Sequence, residues 1–234
     1  MTDHLMPMTT WNARQVRMGL KTQTRRVVKL PQVPTRRGAW EPTTIGGPGG
    51  GRLASGEEIP EAAALWHTQT GQTVACHYGQ GDRLVIKEAL IRGRDGLARY
   101  ADDEPVLVDG RPVPWVSPVT GRPYQRSSLS SRFCPREWAR TVCEVTAPGR
   151  VERVQDIREC DASAEGVHPP IFSYADRFLA EHQGSRALCE FRVLWDEIND
   201  SRGFGWEANP WVWVIQFKFL AGRQPFDNPP AAGL

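Results

Sequence analysis

The sequence has few cysteines and no long apolar stretch, and both shortages exclude whole classes of protein. Five cysteines in 234 residues are odd in number and show no paired spacing, so the disulfide framework of a small secreted domain is not expected. No apolar run approaches the roughly 20 residues that a membrane-spanning helix needs. Residues 1–7 lack the basic start and apolar stretch of a signal peptide. We therefore predict a cytoplasmic protein that does not enter a membrane.

The spacings that usually indicate a metal or cofactor site are also missing. Cys76, His77, Cys134 and His168 could be drawn as zinc ligands, but no Cys-x-x-Cys pair supports them. The glycine-rich run at 46–51 is not followed by Gly-Lys-Ser/Thr, which argues against a phosphate-binding loop. No motif indicates a Ser-His-Asp triad. No metal and no cofactor is predicted.

Basic residues are concentrated at the beginning of the chain. Eight lysines and arginines and one acidic residue lie between Met1 and Trp40, a net charge of +7. Because the whole chain carries +2, the remainder carries −5. Such a local excess is typical either of a polyanion-binding site or of a solvated basic face. Charge alone does not distinguish the two, so both interpretations stay open.

The hydrophobic periodicity indicates short strands interspersed with helices. We predict a helix from Thr9 or Thr10 to Gly19, strands over 83–89, 138–146 and 211–219, a short helix over 156–166, and an amphipathic helix over 188–198. Insertions rich in proline and glycine lie at about 31–71 and 91–132, and a disordered tail is expected over 221–234. The pattern predicts a single α+β domain over residues 1–220.

Two elements carry apolar faces that predict part of the core. In the last strand, alternate residues from Trp211 to Phe219 are expected to face the core, with Gln216 and Lys218 on the opposite side. The first helix is expected to bury a broad stripe that consists of Trp11, Ala13, Val16, Met18 and Leu20.

The most informative segment is Gly-Leu-Lys-Thr-Gln-Thr-Arg-Arg at residues 19–26, directly after the first predicted helix. We expect residues 21–26 to form the loop that leaves this helix, with Lys21 and Thr24 about one helical turn apart. An amine that reaches a hydroxyl is the minimum arrangement for an activated threonine nucleophile. Arg25 and Arg26 would equally suit a phosphate, because guanidinium groups bind it bidentately. The segment therefore indicates either a hydrolase or a nucleic-acid or nucleotide binder.

Four segments together resemble the ASCH-domain family, a branch of the PUA-like β-barrels. Residues 19–26 resemble its Gly-x-Lys-Thr-x-Thr signature, and residues 78–88 resemble its Gly-Asp turn and the strand that follows. Residues 141–166 and 209–217 are similar to a central strand-and-helix segment and to the final strand. The whole pattern is most similar to ASCH-related proteins of bacteriophages and prophages, which would place the protein in the host cytoplasm.

The resemblance implies a small PUA-like β-barrel with flanking helices and long loop insertions, whose cleft binds RNA, nucleotides or modified nucleosides. One bacterial branch, the acetylcytidine amidohydrolases, uses a Lys, a Thr and a Glu, and these roles fall on Lys21, Thr24 and Glu165. The resemblance therefore implies a hydrolase that removes an acyl group from N-acylated cytidine. The alternatives are a ribonuclease that uses the same cleft and a non-catalytic RNA- or nucleotide-binding module. The oligomeric state is left open.

The amidohydrolase chemistry places a demand on the pKa of Lys21. Thr24 is a poor nucleophile unless a base removes its proton, and Lys21 is a base at neutral pH only if its pKa falls by about three units, worth about 4 kcal/mol. Burial and repulsion from Arg25 and Arg26 lower this pKa, whereas a helix C-terminus and Glu165 raise it. The sequence does not decide which effect dominates.

Further residues are candidates for binding the substrate or a nucleic acid. Thr22 or Arg26 would stabilise an oxyanion, and a binding module would use Arg25, Arg26 and Lys29. Aromatic rings would stack on bases, worth roughly 1–3 kcal/mol per base, although such rings are more often part of a core; Trp206 is the best of them. Glu88 is a rival for the carboxylate role. The complete set of binding candidates is Thr22, Arg25, Arg26, Tyr78, Glu88, Trp138 and Trp206.

Overall fold

A computed structural model describes residues 1–34, 37–48, 52, 54–167 and 185–220. The predicted tail at 221–234 and His168 lie outside these residues. In chain order the described elements are β1 (Asp3–Pro7), α1 (Thr10–Arg17), β2 (Gln23–Val27), β3 (Trp40–Ile45), β4 (Ala62–His67), β5 (Thr73–Ala75), β6 (Arg83–Lys87), β7 (Leu90–Arg92), β8 (Ala98–Tyr100), β9 (Leu107–Val108), β10 (Arg111–Pro112), β11 (Ser128–Leu129), β12 (Thr141–Val145), β13 (Arg150–Arg153), α2 (Glu159–Ala164), α3 (Arg186–Asn199) and β14 (Trp211–Phe219).

The fold is mixed α+β, with many strands and few helices, which confirms the predicted class. The PUA-like barrel stays a prediction. The insertions are not plain loops: the one at 31–71 contains the β3–β4 hairpin, and the one at 91–132 contains short paired strands, as expected for hairpins. No helix among the described residues is both long and apolar enough to cross a membrane.

The chain forms two compact units. Within the described residues, unit 1 is drawn from Met1–Leu20, Gly81–Glu144 and 218–220, and unit 2 from Lys21–Gln80 and Val145–Phe217. The single domain over 1–220 stays a prediction.

Unit 1 is organised around β6. This strand pairs in parallel with β1, from Asp3 opposite Arg83 to Pro7 opposite Lys87, and it pairs antiparallel with β12. A second, three-stranded sheet has the order β11-β7-β8. The core beside this sheet is rich in large side chains, because aromatic rings bury much apolar area each. Its buried members are Leu90, Ala98, Tyr100, Val106, Trp115, Cys134 and Trp138.

Unit 2 is organised around β14, which pairs antiparallel with β2 on one side and with β13 on the other. A separate antiparallel sheet has the order β3-β4-β5. The helices α2 and α3 bury their apolar faces in one core with β14. The buried members of that core are Val154, Ile157, Ala162, Val167, Phe191, Trp195, Val212 and Val214.

The first helix starts as predicted but buries a different face. Thr9 caps it through its hydroxyl, which accepts a hydrogen bond from the Asn12 amide at 3.2 Å. The predicted stripe is largely wrong, because Trp11 and Met18 are exposed by 42% and 56%. The buried residues are Asn12, Ala13, Gln15 and Val16, which share one side of a helix at 3.6 residues per turn.

The segment after this helix is also different from the prediction. Gln23–Val27 is a strand rather than part of a loop, because each of its residues pairs with one in β14, from Gln23 opposite Gln216 to Val27 opposite Val212. β14 itself has the predicted bounds. Val212 and Val214 are not among the alternate residues predicted to face the core, yet they are as buried as Trp213 between them. The strand is therefore covered on both faces over its first half.

The other predicted elements are present with somewhat different bounds. The strands predicted at 83–89 and 138–146 correspond to β6 and β12, and the helix predicted at 188–198 lies within α3. The helix predicted at 156–166 divides into a 3-10 turn at Val154–Asp156 and α2.

Candidate functional site

The end of α2 brings Glu165 to the start of the signature segment. Glu165 caps α2, and Gly166 follows with a φ of 83°, a left-handed conformation that glycine adopts without strain. Lys21 forms an antiparallel bridge with Glu165, and the amide of Thr22 donates to the carbonyl of Ala164 at 2.9 Å. Backbone pairing therefore fixes Lys21 against the C-terminus of α2.

Lys21 and Glu165 form a buried ion pair. Lys21 Nζ lies 2.6 Å from Glu165 Oε2 and 2.7 Å from the Glu165 carbonyl oxygen. Only 3% of the Lys21 side chain and 4% of the Glu165 side chain are exposed. Removing two charges from water is costly unless each gains a close partner. The lysine here gains a carboxylate and a helix-terminal carbonyl together.

Arg25 holds the second oxygen of the same carboxylate. Its Nη1 lies 3.1 Å from Glu165 Oε1 and 2.7 Å from Gln23 Oε1. Its Nε and Nη2 donate to Glu152 Oε1 at 2.9 and 2.6 Å. The side chain has no exposed surface, and its guanidinium lies 5.6 Å from the centre of the Phe191 ring. Arg25 therefore donates these hydrogen bonds to protein side chains, and Glu165 lies between two cations.

A further carboxylate supports this arrangement. Asp161 accepts from Gln23 Nε2 at 3.1 Å, and from Arg150 and Arg158 at 3.2 and 3.1 Å. Burial raises the pKa of Asp161, but the hydrogen bonds from Arg158 and Gln23 outweigh it and leave that pKa below its usual value. Asp161 is consequently ionised at neutral pH and fixes the side chain of Gln23, which in turn contacts Arg25.

The electrostatic conflict at Lys21 is decided by burial. Burial lowers the pKa of Lys21, the Glu165 carboxylate opposes this, and the charges of Arg26 and Arg25 reinforce it, so the pKa lies below its ordinary value. Burial also lowers the pKa of Arg26, against the opposing effects of Tyr78 and Glu165. Lys21 therefore releases its proton more readily than an exposed lysine.

Thr24 lies within this region of β2 but is not bonded to Lys21. The side chains of Gln23 and Arg25 contact each other, so alternation along the strand directs Thr24 to the opposite face. Thr24 is 5% exposed, and its hydroxyl has no hydrogen-bond partner among the residues that the structure describes. The predicted spacing of one helical turn is wrong, because the segment is extended.

The predicted ligand-binding residues of unit 2 fall into different environments. Tyr78 is half-buried; burial raises its pKa and the neighbouring Arg26 opposes this shift. Trp206 is half-buried, with its ring 6.3 Å from Phe191 and 5.9 Å from the guanidinium of Arg192. Thr22 is exposed. Arg26 therefore interacts electrostatically with both Tyr78 and Glu165, whereas Trp206 packs against the core of α3.

Two other predicted residues lie in unit 1. Glu88 is 1% exposed and accepts hydrogen bonds from Arg17 at 2.8 Å and from Arg140 at 2.9 Å on each oxygen. Trp138 is 3% exposed and belongs to the core with Tyr100, whose hydroxyl donates to its carbonyl at 2.7 Å. Both side chains are thus engaged by their own unit.

Sequence reasoning missed Gln23, Glu152 and Asp161. Gln23 and Arg25 stand two positions apart, the spacing of one face of a strand, and this signal was available. Within the described residues, no group of three or more His, Cys, Asp or Glu side chains is placed to hold a metal ion. No protein-family model matches the chain, and no curated protein or solved structure is significantly similar to it.

Proposed function

We propose that the protein is a hydrolase that removes the acyl group from N-acylated cytidine, with Lys21, Thr24 and Glu165 as its catalytic residues. The observation that carries the proposal is the buried contact of 2.6 Å between Lys21 Nζ and Glu165 Oε2. These residues are 144 positions apart, and they are the lysine and glutamate that the ASCH resemblance names. The same resemblance supplies the substrate class.

Thr24 is the nucleophile of the proposed reaction. Lys21 in its neutral form accepts the Thr24 proton, and Thr24 Oγ1 forms a bond to the acyl carbon. Thr24 is directed to the face of β2 opposite Gln23 and Arg25 and is not bonded to Lys21 Nζ, so the reaction requires a water molecule or the substrate to carry this proton between them. The bond between the acyl carbon and the cytosine amine then breaks, and the amine takes the proton. Water hydrolyses the acyl-threonine ester and releases the carboxylic acid.

Glu165 prepares Lys21 for this role. Its Oε2 is within hydrogen-bond reach of the amine and serves as the acceptor when the lysine loses its proton. Arg25 holds the other oxygen, so the carboxylate keeps its orientation during the transfer. The buried position of Lys21 contributes the lowered pKa that a general base near neutral pH requires.

The proposal is tested by acetate release from N4-acetylcytidine. Wild type should turn the substrate over, and Lys21→Ala, Thr24→Val and Glu165→Gln should each lose at least about 100-fold in rate. The matched control is Thr73→Val on the exposed strand β5, which removes a hydroxyl elsewhere in unit 2. Circular dichroism checks that each variant is folded. No turnover by wild type, or an unchanged rate in Thr24→Val, would rule the proposal out.

A further inference from the structure

The insertion at 91–132, which neither the family resemblance nor the Lys21 site explains, leads into an arginine-rich run without acidic residues. Between Asp109 and Glu137 the chain has five arginines and no aspartate or glutamate. All of them belong to unit 1. They are Arg111, Arg122, Arg126, Arg132 and Arg136.

Most of these guanidinium groups are exposed and unpaired. All but Arg136 are exposed, and within the described part of the chain their side chains form no hydrogen bond and no ion pair. Arg136 differs, because it contacts Asp3. Arg99 in the same unit also has a carboxylate partner, Asp95, at 2.8 Å. Apart from Arg136, the run therefore carries positive charge that no carboxylate among the described residues neutralises.

The backbone that carries these arginines is anchored. The carbonyl of Arg126 accepts a hydrogen bond from Nε1 of the buried Trp115 at 2.7 Å. The carbonyl of Arg132 accepts one from Lys87 Nζ at 2.6 Å. Arg111 lies in β10, which pairs with β9. A ligand that binds these guanidinium groups has only their side chains to order, which reduces the entropy cost of binding.

Two further exposed side chains belong to the same unit. Arg92 is exposed, and its amide donates to the Ser127 carbonyl at 2.8 Å, which holds it beside the position of Arg126. Phe133 follows Arg132 and is 61% exposed, so its ring is accessible to a ligand. We call Arg92, Arg111, Arg122, Arg126, Arg132 and Phe133 the arginine surface.

We propose that the arginine surface binds single-stranded nucleic acid. Unpaired guanidinium groups match phosphates in charge and in hydrogen-bond geometry. The exposed ring that follows Arg132 in the chain offers a stacking platform for a base, and a combination of cations and rings is what sequence-tolerant single-strand binding uses. The proposal goes beyond the hydrolase reaction, because the surface lies in unit 1 and includes none of Lys21, Thr24 and Glu165.

The salt dependence of binding tests the arginines. The probe is a fluorescein-labelled single-stranded RNA of about 20 nucleotides, followed by anisotropy at several salt concentrations. In Arg122→Gln/Arg126→Gln the slope of log K against log salt should fall by about 1.4, since each phosphate contact contributes about 0.7 for single strands. Affinity at low salt should fall by roughly 10- to 30-fold.

The control is Arg52→Gln/Lys218→Gln, which likewise removes two positive charges, but from exposed residues outside the arginine surface. Its slope should match wild type. Equal losses in the two variants, or no RNA binding by wild type, would overturn the proposal. So would co-sedimentation of wild type with phosphatidylserine vesicles without measurable RNA binding, because the surface would then recognise lipid phosphate.

A second variant tests the ring. Phe133→Ala should weaken RNA binding by roughly fivefold or more with an unchanged salt slope, because stacking is lost while phosphate contacts remain. Val119→Ala is the control, since Val119 is 85% exposed in the same run and has no ring. Equal affinities of the Phe133 variant and wild type would remove the ring from the surface.

Discussion

Glu165 in unit 2 and Glu88 in unit 1 are two buried carboxylates whose cationic partners differ in residue type and in exposure. Both are almost fully buried, at 3% and 1% exposure, and each is held by two cations. Glu165 is bound by a lysine and an arginine, whereas Glu88 is bound by two arginines. The cations also differ in burial: the side chains of Lys21 and Arg25 are 3% and 0% exposed, whereas those of Arg17 and Arg140 are 22% and 19% exposed.

The difference between lysine and arginine decides what each cluster can do. Arginine keeps its proton at any pH a protein meets, whereas a buried lysine shifts its pKa readily. Bonds from Glu88 and Asp102 raise the pKa of Arg140 above its usual value although burial opposes them. The pKa of Lys21 is lowered instead. The Glu165 cluster therefore contains a lysine that releases its proton more readily than an exposed one, whereas the arginines of the Glu88 cluster stay protonated and hold the carboxylate fixed.

The largest expected effect comes from a variant that gives the Glu165 cluster two arginines, as in the Glu88 cluster. Lys21→Arg keeps the charge but removes the group that can deprotonate, so the rate of acetylcytidine hydrolysis should fall by about 10²- to 10⁴-fold. The longer side chain should also cost about 1–3 kcal/mol of stability. Steady-state kinetics and urea unfolding measure the two effects separately.

The matched control for this variant is Lys218→Arg, at a lysine whose side chain is 58% exposed and pairs with Glu144. It should change neither the rate nor the stability measurably, because exposed pairs contribute little. A Lys21→Arg enzyme with full activity would show that Nζ does not carry the proton.

The next largest effect concerns Glu88 and the two arginines that it contacts. Glu88→Gln should reduce the free energy of unfolding by about 3 kcal/mol, because Arg17 and Arg140 lose the charge that offsets their burial. Their side chains are 22% and 19% exposed, so water compensates part of the loss. Urea denaturation measures the change. Glu144→Gln, at a 35% exposed carboxylate, should cost less than about 1 kcal/mol, and equal losses would contradict the distinction.

The two clusters also show what sequence reasoning can recover. The cap at Thr9, the class α+β and the bounds of β14 follow from local patterns, and the pairing of Lys21 with Glu165 was implied by the family resemblance. β2 was missed, because Gln-Thr-Arg-Arg-Val has no apolar alternation. It is a strand because β14 pairs with it and because Glu152 and Glu165 neutralise Arg25, and both partners are distant in sequence.

The same reasoning failed for α1 for a related reason. Periodicity assumes that apolar residues are buried, whereas α1 buries Asn12 and Gln15 and exposes Trp11 and Met18. Tertiary contacts decide which face of a short helix is covered, and the apolar residues of this one do not share a face. Glu88 was named as a candidate carboxylate, but its partners Arg17 and Arg140 were missed, since the three residues come together only in the folded unit.

The pH dependence of stability sharpens the comparison further. The folded-state pKa of Lys21 lies below the unfolded value of 10.5, so the unfolded chain binds more protons between the two pKa values. The unfolding free energy of wild type should therefore rise with pH in this window, relative to Lys21→Met, by up to about 1.4 kcal/mol per pH unit. Urea unfolding at a series of alkaline pH values measures this difference.

Arg140 of the Glu88 cluster supplies the reference for that measurement. Arg140→Met should differ from wild type by a nearly constant amount over the same alkaline window, because an arginine does not titrate there. A slope of the same sign and size in both variants would mean that the shift at Lys21 is not responsible.

The smallest expected effect concerns Asp102, a partly exposed carboxylate that contacts Arg140 of the Glu88 cluster. Asp102 accepts from Arg140 at 2.7 Å but is 30% exposed, so Asp102→Asn should cost only about 0.5 kcal/mol at neutral pH. Burial raises the pKa of Asp102, but the hydrogen bond and charge of Arg140 outweigh it, so the pKa lies below 3.8. The contribution is therefore complete above pH 3.8 and lost as the pH falls through the folded-state pKa.

Asp161→Asn should show the same acid dependence with a larger amplitude, because the Asp161 side chain is only 7% exposed. Acid titration of the unfolding free energy compares the two, and a larger loss at Asp102 would mean that burial does not set the strength of these pairs.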